Sequence, residues 1–141
     1  MTAEALWEWA VRRFPGLQIS WTVMLAAPCA RYCDGGLLLG GAQIEVDRRL
    51  RGPALICALA EEIGHHATML YWDGPGRSEE HAFRWAASLL IPAGEAGRAD
   101  DPAALAERYG VTEPFAARVL ALGRVAAPAP RIRGPRGTAA G

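Results

Sequence analysis

An α+β fold is predicted here: an N-terminal helix, a short antiparallel sheet, a central helix pair and C-terminal helices. Apolar residues recur at helical spacing in Ala3 to Phe14 and again from Pro53 onward, and the segment between them alternates in strand fashion. The 141 residues are 51% hydrophobic, enough for one core without disulfide staples. We expect one domain over 1–125, and read 126–141, where Ala, Pro, Gly and Arg alternate, as a disordered tail.

Ala3, Leu6, Trp7, Ala10 and Val11 share one face of the first helix, which Pro15 and Gly16 end. Leu17 to Leu25 is a strand by its alternation and β-branching, and a loop through Pro28 and Asp34 follows. Gly36 to Leu39 and Ala42 to Val46 are two more short strands, with Gly40 and Gly41 suited to a tight reversal between them. Pro53 suits a helix start, and the second helix runs to about Tyr71. Asp73 to Gly76 forces a loop, Ser78 is a good N-cap, and a third helix runs to Ile91 before Pro92. Asp101 with Pro102 opens a fourth helix that Gly110 closes, and Thr112 opens a fifth that ends at Gly123.

Charge excludes some functions. Fifteen basic residues, all arginine, balance fifteen acidic ones, so nothing draws the chain as a whole to nucleic acid. The fifth helix carries only Arg118 before Arg124, too little for a DNA-reading helix, and Arg131, Arg133 and Arg136 of the tail are too few for a specific site. No apolar run is long enough to cross a bilayer. Cys29, Cys33 and Cys57 are an odd set without a signal-like start, which fits free thiols in a reducing cytoplasm. Cys29 and Cys33 lack the second pair that a zinc site needs.

The chemistry is concentrated in Glu61, Glu62, Ile63, Gly64 and His65, an H-E-x-x-H zinc motif whose first histidine is replaced by a carboxylate. Residues 61 and 65 lie one helical turn apart on one face, so a carboxylate and an imidazole can hold one ion between them. Leu55, Ile56, Leu59, Ile63, Ala67 and Leu70 form the opposing, core-facing arc, with Glu62 at its edge. His66 projects into that arc and is read as a hydrogen-bonded core histidine. Gly64 weakens the helix and suits the close approach of another backbone or a substrate. On the third helix, Ala82, Phe83, Trp85, Ala86, Leu89 and Leu90 form the apolar arc, and of the polar residues only Glu79 falls inside it. A metal ion is one of the few partners that favours an inward carboxylate, whereas a solvated role at the helix N-terminus is the plain alternative. Adjacent solvated carboxylates are likewise the plain alternative for Glu61 and Glu62.

The string ALAEEIGHHAT, a glycine-rich turn, and E-x-x-A-x-x-W-A-x-x-L-L-I-P from Glu79 to Pro92 together resemble the ImmA/IrrE family of metallopeptidases. GGLLLGGAQIEVD looks like that family's hairpin before the active-site helix, and LAERYGVTEPFAARVL like its C-terminal helices in short phage and mobile-element members. The resemblance spans roughly residues 35–124. It implies a small zincin-like domain in which Glu61, His65 and Glu79 hold one divalent metal ion and Glu62 is the catalytic glutamate. The implied activity is endopeptidase cleavage of a helix-turn-helix repressor of a prophage or integrative element.

Zinc is the first expectation for the ion, with manganese second because carboxylate ligands favour harder metals. Glu62 would deprotonate the attacking water and return the proton to the leaving amine. Two carboxylate ligands neutralise the ion's charge and weaken its effect on bound water, so turnover is expected to be slow. The alternative is a metallopeptidase fold that regulates by binding a repressor partner without cleaving it. Tyr71 and Tyr109 carry hydroxyls that could stabilise an oxyanion, though packed or surface roles are the commoner reading.

Overall fold

The computed structural model describes residues 1–35, 41–71, 79–96, 98 and 101–124. The first helix, α1 (Ala3–Arg13), starts where the Thr2 hydroxyl accepts the Ala5 N–H at 3.2 Å. It ends where the Phe14 N–H donates to Ala10, and Gly16, at φ +92°, turns the chain into the sheet. Leu6 and Ala10 face the core.

Three strands follow: β1 (Gln18–Thr22), β2 (Ala30–Cys33) and β3 (Gln43–Asp47), in the spatial order β1-β3-β2. The expected antiparallel sheet is corrected to a mixed one. β1 pairs with β3 in parallel, Ser20 opposite Glu45, whereas β2 pairs with β3 antiparallel, Tyr32 opposite Ile44. The difference comes from β2, which lies in the segment that the sequence predicts as a loop. Its alternation is short and interrupted by Arg31, whose charge is answered only across the sheet by Glu45. With β2 in place, the chain passes β1, β2 and then returns between them, so the first and last strands run the same way. The expected strand Gly36–Leu39 and Gly40 lie outside the described residues. β3 is central, and its Ile44 and Val46 are fully buried.

Asp47 ends β3 as a buried carboxylate. It accepts the Arg49 guanidinium at 2.9 and 2.7 Å and the backbone N–H groups of Met24 and Arg49, each at 2.8 Å. Arg49 also donates to the carbonyls of Met24 and Ala26, so one ion pair fixes the connection after β1.

Helix α2 (Gly52–Tyr71) buries Leu55, Ile56, Leu59, Ile63 and Ala67 as its periodicity predicts. Leu70 is a correction: it is 49% exposed in the last turn of α2. Its angle on the helix is that of the core arc, but a projection around the axis does not register where the packed neighbours stop along it.

Helix α3 (Glu79–Leu90) lies against α2 and buries Ala82, Phe83, Ala86, Ala87 and Leu90. Its expected Ser78 N-cap lies outside the described residues. Helix α4 (Pro102–Tyr109) has the predicted Asp101 cap, which accepts the Ala103 N–H, and the predicted Gly110 end at φ +65°. Helix α5 (Glu113–Arg124) starts at Thr112, whose hydroxyl accepts the Phe115 N–H. Phe83 and Phe115, with ring centroids 4.8 Å apart, join α3 to α5. The expected tail, 126–141, lies outside the described residues, in which no helix is long and apolar enough to cross a membrane.

Candidate metal and proton-transfer site

Gly64 sets the distance between the two helices of the site. A methyl group placed there would overlap the Ala82 carbonyl oxygen and stand 3.0 Å from its carbon and 3.2 Å from Ala82 Cα. The glycine thus lets the α3 backbone approach α2, as its position in the sequence suggested. Thr68, one turn on, donates its hydroxyl to the carbonyls of Gly64 (2.9 Å) and His65 (3.0 Å).

This close approach brings two of the predicted residues together. His65 Nε2 lies 3.1 Å from Glu79 Oε2. The expectation that Glu79 points into the core is corrected, since its side chain is 81% exposed. Glu79 opens α3, one turn before the Ala82 contact, so its carboxylate clears the packed region and reaches His65 along the surface. His65 itself is only 25% exposed.

Glu61 is half-buried on the same face of α2. Burial raises its carboxyl pKa, the guanidinium of Arg118 pulls it down, and the like charge of Glu79 pushes it up again. Glu61 therefore shares an electrostatic environment with Glu79 and His65. Among the described residues no three His, Cys, Asp or Glu side chains form a ready group around one point. The donor types nevertheless suit a divalent ion: an imidazole and two carboxylates, two of them already in contact and the third one helical turn away. A cation would relieve the repulsion between Glu61 and Glu79.

Glu62 carries the largest upward shift of any described carboxyl, to about 7. Burial is the main cause; His65 and the Tyr32 backbone N–H oppose it, and the charges of Glu79 and Glu61 add to it. A carboxyl that exchanges its proton near neutrality is suited to acid–base work.

Two residues at the site escaped sequence reasoning. Tyr32 presents its N–H to Glu62 from β2, and its hydroxyl meets His66 Nδ1 at 3.1 Å and Met69 Sδ at 3.1 Å. It was hidden by the misread strand. Arg118, weighed only for DNA contact, stacks its guanidinium 3.9 Å from the Phe83 ring centroid and faces Glu61 and Glu80. No local spacing reveals this contact, because Phe83 and Arg118 are on different helices.

His66 is the buried, hydrogen-bonded histidine that its position predicts, with Phe14 edge-on at 5.1 Å. Cys29, Cys33 and Cys57 are free. The side chain of Tyr71 lies outside the described residues, and Tyr109 belongs to a group with Glu95 and Arg108. In comparisons with known proteins, no family model matches this chain and no curated protein matches it.

Proposed function

We propose that the chain is a metal-dependent endopeptidase of the ImmA/IrrE type, acting on a helix-turn-helix repressor of a prophage or integrative element. The observation that carries this reading is the meeting of His65 and Glu79 across two helices, beside a Glu62 carboxyl poised at about 7. Glu61, His65 and Glu79 would hold one divalent ion, zinc before manganese. When bound, that ion would supply Lewis acidity toward a peptide carbonyl and a water molecule. Exposed Glu79 has the rotamer freedom to turn toward Glu61 as well as His65.

Glu62 holds and moves the proton. Its carboxylate takes one from the attacking water, and its raised pKa makes it a competent donor to the leaving amine. The Tyr32 N–H orients it from β2, which is an edge of the sheet among the described residues. A substrate segment laid along that edge would run beside Glu62. Free thiols favour a cytoplasmic setting.

Co-expression with a repressor encoded beside this chain tests the reading. Full-length repressor should disappear with the wild type and persist with Glu62→Gln. The second reading, a binding protein without turnover, is favoured by Glu61 standing in the first histidine position of the motif. It prevails if the purified protein retains stoichiometric metal, cleaves no repressor, and exerts the same cellular effect with Glu62→Gln.

A further inference from the structure

The candidate site leaves the opposite edge of the sheet unexplained. β1 is an edge strand, and no described residue pairs with its outer side. Natural edge strands are usually guarded by charge, proline or a covering element. Here no charged residue occurs from Phe14 to Ala30, and Trp21 and Val23 are 46% and 59% exposed. Beside the strand is a cavity of about 670 Å³ floored by Trp7, Trp21, Leu55 and Leu59. The two indoles stack with centroids 5.1 Å apart.

The rim of the cavity carries both signs of charge. Glu4 and Glu8 come from α1, whereas Arg48 and Arg51 come from the segment between β3 and α2. Arg51 is spent on the carbonyls of Arg48 and Leu50, and Glu8 on a long contact with Arg12. Glu4 and Arg48 are exposed and have no ion-pair partner among the described residues. A surface with an acidic lip and a basic lip is self-complementary across a two-fold axis, where one copy's acid meets the other's base. The zero net charge of the chain puts no long-range repulsion between copies.

We infer that the β1 edge and its tryptophan-floored groove are a homodimer interface, with Glu4 of one copy facing Arg48 of its partner. The burial of Trp21 supplies the apolar centre, and the crossed ion pairs set the register. This inference is independent of the metal site.

Sedimentation equilibrium on the full chain at about 0.1 mM, where an interface of micromolar Kd is saturated, tests it. The wild type should have twice the 15.1 kDa chain mass. Trp21→Lys and, separately, Arg48→Glu should be monomers with unchanged circular dichroism. The exchange Glu4→Arg with Arg48→Glu should restore the dimer, which a general loss of fold cannot do. A monomeric wild type overturns the inference, as does a dimer that Arg48→Glu leaves intact or that the double exchange fails to restore. A groove that binds another protein while the chain stays monomeric also overturns it.

Discussion

Replacing Gly64 with alanine tests how the two helices are held. In an unobstructed helix the change would stabilise by about 1 kcal/mol, because alanine is the better helix former. Here the new methyl carbon would stand 3.0 Å from the Ala82 carbonyl carbon, against an ordinary carbon–carbon contact of about 3.5–4.0 Å. The obstacle is backbone, so α3 must retreat by roughly half an ångström or more. Overpacking of that kind costs about 1–3 kcal/mol. The two effects leave Gly64→Ala destabilised by up to about 2 kcal/mol, or roughly 4 °C per kcal/mol for a domain of this size. Gly123→Ala is the control: its methyl would meet only Ala96, no closer than an ordinary 3.5 Å. That variant should be neutral or gain up to about 1 kcal/mol. Thermal unfolding measures both, and the His65 ring resonances report whether its contact with Glu79 has lengthened. A Gly64→Ala protein about 1 kcal/mol more stable than the wild type, with His65 undisturbed, refutes the close approach.

Asp47 and Glu62 give opposite pH dependences. The guanidinium of Arg49 holds the Asp47 carboxyl far below its ordinary range, opposed by burial and assisted by backbone N–H groups. Its folded pKa is depressed, so its contribution is present above the unfolded value of about 3.9 and fades as pH falls below it. Asp47→Asn should lower the thermal midpoint at pH 7 and flatten its fall between about pH 5 and pH 2, as acid titration would show. Glu62 is the reverse case, its folded pKa raised mainly by burial to about 7 against about 4.3 unfolded. The stability it contributes is full below the unfolded value and is lost as pH rises through about 7. Metal-free Glu62→Gln should therefore gain on the wild type between pH 5 and pH 8, by on the order of 2 kcal/mol after allowance for partial screening. An equal difference at both pH values would show that Glu62 titrates normally.

Helices α1, α4 and α5 were legible in the sequence because each has its own punctuation: Pro15 and Gly16 after α1, Asp101 and Gly110 around α4, Thr112 before α5. The buried face of α2 followed from period alone up to Ala67. Two strands were legible by alternation, β1 within Leu17 to Leu25 and β3 at Ala42 to Val46; β2 and the pairing were not, since ARYC has too few alternating positions to declare a strand, and parallel pairing of β1 with β3 depends on a contact between distant segments. Glu61, Glu62 and His65 stand out by motif spacing, Glu79 by its projection on the third helix, and the role of Gly64 by its cost to a helix. The outward reach of Glu79 was missed because a helical projection gives an angle around the axis and no information on where the neighbouring helix ends. Tyr32 and Arg118 reach the site from other elements, so no local spacing marks them.

The account stands most directly on whether one cation joins α2 and α3. Anomalous diffraction from crystals grown with zinc, collected on both sides of the zinc edge, answers that. The account predicts a single strong peak with His65 nitrogen and the oxygens of Glu61 and Glu79 about 2.0–2.2 Å away. No ordered zinc there, or zinc held only by the Cys29 and Cys33 thiols, would contradict it.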